Sequence, residues 1–548
     1  MRFSKRAGAV AITAAVALVA AGCSSDEGGG GGDTSEKTAN GAIVIDGTQP
    51  ENGLIPSNTT ETGGGQVVDF MWTGLVEYPN DGGDPVKAVA EDISTEDSQK
   101  YTIKIKKGTK FHDGTEVKAK NFVDAWNWAA YSPNGAANGS FFDKIQGFAD
   151  VHTEDPDGEG AQKAPEPKAK EMSGLKVVDD QTFEVTLGAP FSIFPTMLGY
   201  SAFMPMPDAF FTSTPDAFGK KPIGNGPVKF VSWQDNVDIK LTRFDDYTLE
   251  DKVKIKDVTV KLYQDDTAAY ADLQSDNLDF QQQIPVSALA GDKWKTDLGD
   301  RGMTVKVPVT QILAFPIYDK RFQNPKLRQA ISLSINRQEI ADKIFFGSRT
   351  PADSWSNPLT PGYVKGDCTS CKFDPERAKQ LLAEAGGFTG ELTLSYNADA
   401  SHKDWMEAVA QNIKNNLGIN ARAVGIPTFA VFRQQINDHK MKGIYRAGWQ
   451  QDYPDLENWV GPLYVTGGSS NDGLYSNKDV DRLYQEGIAS KDVEAAHAKF
   501  AEAVKLIDAD MPTIPMFYVN QQAGVSNRVT GVQATNVGEI DLSSVEIK

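Results

Sequence analysis

Alternating apolar runs and stripes at helical spacing follow one another along most of this chain, and together they predict an α/β protein. Residues 42–45 form a short apolar strand, followed by a Pro-containing loop at 49–56. Residues 59–65 are rich in Thr and Gly and read as a loop opening a helix around 66–75. Tyr101, Ile103 and Ile105 alternate as a half-buried strand, and Phe122, Ala125, Trp126 and Ala129 then share one helix face. Regular structure returns at 175–187, where residues 182–187 alternate after an Asp179-Asp180 turn. A strand at 257–263, a helix at 266–273 and a strand starting at 278–280 come next. Residues 324–347 read as a helix pair. A further helix at 374–386 has Asp374 as N-cap, Pro375 in the first turn and Gly386 as stop. Strands at 392–396 and 421–425 flank a helix at 404–417. Helices at 429–437, 480–489 and 493–508 and a last strand at 513–519 complete the pattern. Repeated strand–helix alternation predicts largely parallel sheets. No internal repeat is visible.

The most informative stretch is residues 444–464, IYRAGWQQDYPDLENWVGPLY. Ile444, Tyr445 and Ala447 read as a strand end, with Gly448 starting a turn. Pro454 disfavours helix at Tyr453, so residues 449–453 are expected as an extended loop. Loops leaving strand ends on a rigid scaffold carry function. Arg446 and Asp452 among Trp449, Tyr453, Trp459 and Tyr464 suit a zwitterion, an ammonium at one end and a carboxylate at the other. The plain alternative is that the two charges pair with each other or with neighbours in a packed loop.

Composition narrows the class. The 548 residues exceed one ordinary domain. Hydrophobic content of 40% and charged content of 24% are those of a globular protein. A net charge of −19 argues against nucleic acid, which needs clustered Lys and Arg. The five histidines show no pair at metal-ligand spacing, so no metal site or cofactor is implied. Cys368 and Cys371 form a lone C-x-x-C, read as a small surface-loop disulfide outside the cytosol. His112 beside Asp113 has no nucleophile tied to it and reads as structural. Neither G-x-S-x-G, H-E-x-x-H nor a Cys–His arrangement occurs, so an enzyme is not implied. The segment at 224–229, GNGPVK, lacks the spacing of a phosphate loop.

Residues 1–22 have a basic start (Arg2, Lys5, Arg6) and a short run of small apolar residues, the marks of a secretory signal. Ala20-Ala21-Gly22-Cys23 resembles the lipobox of bacterial lipoproteins, with Ala20 where Leu is usual, and implies lipidation of Cys23. Residues 23–40, rich in Gly and Ser, read as a disordered tether. Residues 150–171 read as an exposed insertion.

Several stretches resemble one family in order: YTIKIKKGTKFHDGTEVKAKNFVDAWNW from Tyr101, residues 175–187, GNGPVK, LRQAISLSINRQEI from Leu327, and RAGWQQDY from Arg446. They are similar to the extracytoplasmic oligopeptide-binding proteins of ABC importers, solute-binding protein family 5. The resemblance implies a two-lobed α/β periplasmic-binding-protein-like fold of the type II class, with an extra small domain. Its expected division is lobe I at 41–75, 175–310 and 510–548, the small domain at 76–174, and lobe II at 311–509. It further implies a monomer that captures an extended peptide in a hinged cleft. Lipid-anchored outside the cell membrane, it would pass the peptide to a permease and its ATPase subunits. By the same resemblance Asp452 holds the peptide ammonium and Arg446 a carboxylate. Gly448, Trp449 and Tyr453 belong to that loop, and Thr60, Glu61 and Thr62 touch the ligand backbone. Rival readings are nickel, haem or oligosaccharide in the same fold, or a peptide-sensing lipoprotein without import.

Overall fold

The computed structural model describes residues 41–80, 84–153, 164–250, 252–398 and 401–548. The signal region, the tether, Cys23 and part of the expected insertion lie outside the described residues.

Fifteen strands account for the two main sheets. They are β1 (Ala42–Gly47), β2 (Ala90–Thr95), β3 (Lys100–Ile105), β4 (Leu175–Asp179), β5 (Thr182–Thr186), β6 (Val228–Gln234), β7 (Asp238–Arg243), β8 (Asp257–Leu262), β9 (Phe280–Gln281), β10 (Gly302–Ala314), β11 (Arg349–Pro351), β12 (Glu391–Asn397), β13 (Asn420–Ile426), β14 (Ile444–Gln450) and β15 (Thr513–Val525). The larger sheet runs β13-β12-β14-β10-β15-β9-β1-β8-β7-β6, with β11 added to β15. It is mixed, which corrects the largely parallel sheet expected from the sequence. Only β12–β13, β12–β14, β1–β8 and β1–β9 pair in parallel. The 13-residue strands β10 and β15 run antiparallel through its middle, and neither is followed by a crossover helix of the βαβ kind.

The β10–β15 ladder breaks between Lys306 and Thr310. Pro308 sits in the break and has no N–H to give the ladder. The freed carbonyls are taken up locally: Asn357 Nδ2 donates to Val307 O at 3.3 Å and Val309 O at 3.2 Å, and the Gln451 N–H donates to Pro308 O at 3.2 Å. The break therefore joins the stretch that carries Asp452.

The second sheet, β2-β3-β5-β4, is antiparallel. Strand β5 pairs with β3 and β4 with β5, so the boundary expected at 174/175 cuts through this sheet. Trp126, Phe122 and Phe183 close its core, with Trp126 edge-on to Phe183 at 5.6 Å between centroids. Such a pair adds roughly 0.5–1.5 kcal/mol to the burial of its area. His112 fastens the sheet's neighbourhood to the 224–229 segment. Its Nδ1 accepts from the Gly224 N–H at 3.1 Å and its Nε2 lies 3.0 Å from Gly226 O. Burial holds its pKa down at about 4, so the ring is neutral and structural.

The first long helix, α1 (Thr62–Met71), starts earlier than expected, with Gly63, Gly64 and Gly65 inside it. The Glu61 carboxylate caps it by accepting from the Gly64 N–H at 2.9 and 3.0 Å. A Cβ on Gly63 would lie 2.4 Å from Thr48 Oγ1 and 2.7 Å from Thr48 O, so close packing accounts for that glycine.

Candidate ligand-binding cleft

A cavity of about 1250 Å³ opens between α1 with its preceding loop, the β14 stretch, residues 76–80 and 199–204, and the chain near Glu539. It is large enough for a short peptide. Strand β14 forms one wall. It pairs antiparallel with β10 along its length, with Gly448 opposite Gln311 and Trp449 opposite Thr310. Gly448 is thus inside a strand, not at a turn, and the extended loop begins after Gln450. On the other side β12 pairs only with Ile444 and Tyr445. Among the described residues, the β12-side edge of β14 has no strand partner from Ala447 onward.

Asp452 follows this strand. Helix α2 (Glu457–Tyr464) presents Asn458, whose Nδ2 donates to Asp452 Oδ2 at 3.0 Å. Asn458 Oδ1 accepts from the Asp452 N–H at 2.9 Å and from Trp449 Nε1 at 3.2 Å. One amide side chain therefore fixes the acid and the tryptophan together. Burial pushes the Asp452 pKa up to about 6; the Asn458 N–H offsets part of this, and nearby Glu457 adds to it. No ion pair joins it to Arg446. That guanidinium donates from Nε to Asn397 Oδ1 at 2.9 Å and lies 5.5 Å from the Phe429 ring centroid.

Thr60, Glu61, Thr62, Arg446, Gly448, Trp449 and Asp452 all line the cavity. Tyr453 does not. It is 4% exposed and turns into the core, where its hydroxyl donates to Glu457 alongside that of Tyr484. Pro454 directs the chain there, and a buried phenol needs an acceptor. The Glu61 carboxylate, in the cavity wall, is spent on its helix cap. Cys368 and Cys371 are joined as a disulfide, away from the cavity and buried at 5% and 6% exposure rather than on the surface.

Several lining residues escaped the sequence reading. Arg349 lies over the Phe345 ring at 5.2 Å and donates to Ser348 O at 2.7 Å; burial lowers its pKa to about 10. Tyr78 donates to Thr196 O at 2.8 Å, and Tyr200 stacks on Phe141 at 4.4 Å. Burial pushes both phenols up, and the neighbouring charges of Asp452 and Asp69 add to the shift. Asp69 is the lone charge in α1, TGGGQVVDFM, a signal the sequence did offer. Carboxylates outnumber guanidiniums nine to two in the lining.

A mixed α/β fold with a deep charged cleft between its parts defines a receptor for small solutes. Residues 84–471 match the model of the bacterial extracellular solute-binding proteins, family 5, and the chain belongs to that family. It is 26% identical to the dipeptide-binding protein DppE of Bacillus subtilis over 87% of this chain and 86% of that one. It is 27% identical to the periplasmic oligopeptide-binding protein OppA of Salmonella typhimurium over 80% and 79%. Among solved structures, Haemophilus influenzae OppA in complex with RPPGFSPFR superposes with a TM-score of 0.75. The sequences are 22% identical, and the match covers 93% of this chain and 99% of that one. The fold is the type II solute-binding fold that the sequence implied. Among the described residues no helix is long and apolar enough to cross a membrane.

Proposed function

We propose that this chain captures peptides by their charged ends and passes them to a membrane permease and its ATPase for import. The observation that carries the reading is the cavity-lining Asp452 carboxylate, pinned by Asn458 just after a strand that, among the described residues, has no strand partner on its β12 side from Ala447 onward. An extended peptide adds to such an edge through its own backbone, and pockets for its side chains then tolerate many sequences. Its ammonium meets Asp452 in a charge-assisted bond. Arg446 and Arg349 are the guanidiniums in the lining for the peptide carboxylate, and Trp449 walls the groove. The relatives named above are binders of dipeptides and oligopeptides, which supports the same class here. The break between Lys306 and Thr310 is where the cleft would hinge.

The receptor acts as a monomer, without turnover, and is held outside the membrane by a lipid on Cys23. Calorimetric titration with free and N-acetylated tri- to pentapeptides tests the capture. One free peptide should bind per chain, and acetylation should weaken it strongly. Equal binding of the two forms, or a thermal shift with nickel, haem or a sugar and none with peptides, sinks the reading. Cys23→Ser should release the protein or leave a precursor. If the wild type in cells is already free of lipid, the anchor is wrong.

A further inference from the structure

Most carboxylates in the cleft wall are occupied. Asp46 accepts from the Gln282 N–H at 3.0 Å, Asp265 caps a helix through the Thr267 N–H at 2.9 Å, and Asp541 accepts from Asn80 Nδ2 at 3.0 Å. Asp69 and Glu539 differ. Both line the cavity, and among the described residues nothing donates a hydrogen bond to either carboxylate. Glu539 is only 6% exposed.

The chain around Glu539 is built to hold it there. Gly538 has φ +88°, and a Cβ on it would lie 2.7 Å from Gln521 Oε1 and 2.9 Å from Val307 Cγ1. Only glycine takes this turn without strain. Thr535 then clamps Glu539: its N–H donates to Glu539 O at 2.7 Å, and its Oγ1 accepts from the Glu539 N–H at 3.1 Å. Gln521 Nε2 donates to Gly538 O at 3.2 Å. A backbone held this firmly presents a buried, unpartnered carboxylate to the cavity beside a second one. An enclosed charge without a partner is costly unless a counter-charge arrives.

We infer that Asp69 and Glu539 form a second cation subsite next to Asp452, so that the cleft selects peptides with a Lys or Arg within their first two residues. The inference rests on the peptide reading above, with Asp452 taking the ammonium. The Asp452 and Asp69 charges both act on Tyr78 and Tyr200, so the two acids lie near one pair of phenols in the cavity wall. Asp69 is exposed to the open cavity, and desolvation by the surrounding cleft walls raises its pKa to about 7; burial, then the Asp69 charge, raises that of Glu539. Two such acids repel until a cation sits between them. A divalent metal would want more oxygen ligands, and among the described residues no three His, Cys, Asp or Glu side chains converge as a metal site. Aromatic walls suit an ammonium or guanidinium better.

The test is titration of wild type, Asp69→Asn, Glu539→Gln and the double variant with Lys-Ala-Ala, Ala-Lys-Ala, Ala-Ala-Ala and Glu-Ala-Ala. In the wild type one of the lysyl peptides should bind roughly ten- to a hundredfold tighter than Ala-Ala-Ala. The double variant should lose that preference and keep its affinity for Ala-Ala-Ala within about threefold. Both substitutions are near-isosteric, and equal or higher thermal midpoints confirm that the variants fold. A wild type indifferent to lysine, or a preference that survives in the double variant, overturns the subsite. Spermidine separates the two readings. If no tripeptide binds but spermidine raises the melting point and the double variant abolishes this, the cation subsite stands and the peptide reading falls. If neither peptide nor spermidine acts, both fall. A shift with calcium or magnesium alone that the double variant removes would make the site a metal site and overturn the inference.

Discussion

Arg337 is 2% exposed and Glu539 is 6% exposed, yet their surroundings are opposite. Arg337 Nε donates to Pro515 O at 2.8 Å, Nη1 to Cys371 O at 2.7 Å, and Nη2 to Ser332 Oγ at 2.8 Å. Arg328, near it, donates to the carbonyls of Met511 (2.9 Å from Nε), Phe322 and Asp510. Among the described residues neither guanidinium has an ion-pair partner; backbone carbonyls absorb the charge, and burial holds Arg337 down at about 9. At the cleft, Glu539 and Asp69 have no donors among the described residues, while Asp452 has one amide. A charge whose bonding is complete within the chain serves the fold. A charge left incomplete on the wall of a cavity is bonding capacity kept for something that arrives.

The strongest way to break this contrast is Arg337→Met. It strands carbonyls of Pro515, Cys371 and Ser332, and each unsatisfied buried group costs roughly 1–3 kcal/mol. Stability in a urea titration should fall by about 3–5 kcal/mol, while peptide affinity of the folded fraction stays within about threefold. An affinity loss as large as that from changing Asp452 would mean the arginine hub belongs to the binding site.

The converse change is Asp452→Asn. Losing one member of a buried charge pair costs about 2–5 kcal/mol, so peptide affinity should fall roughly thirtyfold to several thousandfold. Unliganded stability should hold or rise, since the pushed-up pKa of Asp452 marks an unfavourable burial. N-acetylated peptide should bind the wild type about as weakly as free peptide binds the variant, and acetylation should cost the variant little. A variant that binds free peptide normally would leave Asp452 a packing residue.

Which of these features the sequence showed follows from how local they are. Helix starts with their own caps were readable: Asp374 accepts from the Arg377 N–H at 3.0 Å, and the helix opens at Pro375. The Asp452 loop was readable because its aromatics, acid and proline lie within a few residues. Gly448 was misread because a strand partner, Gln311, settles its conformation, and that partner is far off in the chain. The glycines of α1 looked like a loop because their reason is contact with Thr48. The direction of Tyr453 depends on Glu457 and Tyr484. Asp69 and Glu539 come from opposite ends of the chain, and only the tertiary fold makes them neighbours.

The disulfide sharpens the comparison from the side of the fold. Cys371 supplies a carbonyl to Arg337, so the Cys368–Cys371 link belongs to the saturated hub and not to the cleft. Its loop is short, so changing both cysteines to serine should cost only about 2 kcal/mol. Peptide affinity should not move. A tenfold affinity loss on reduction would put the disulfide in the binding machinery.

The smallest effect is the pH dependence, and its sign separates the two kinds of buried charge. Asp452 must be ionised to hold an ammonium, and in the free protein it titrates near 6. Apparent affinity should therefore be nearly flat above pH 7 and fall about tenfold by pH 5. The unliganded fold responds the other way. A carboxyl whose folded pKa lies above its unfolded one adds stability that is complete below the unfolded value and lost as pH rises through the folded value. For Asp452 that window runs from 3.8 up to about 6, so acidification should steady the empty receptor while it weakens capture. Asp46, near 7, and Asp367, near 6, push stability in the same direction, so the wild type alone cannot assign the effect. The difference between wild type and Asp452→Asn can. Titrations at pH 5, 6 and 7 should show the tenfold slope in the wild type and a flatter profile in the variant. Identical slopes would move the ionisation to another group and leave the Asp452 carboxylate as inert to the ligand as Arg337.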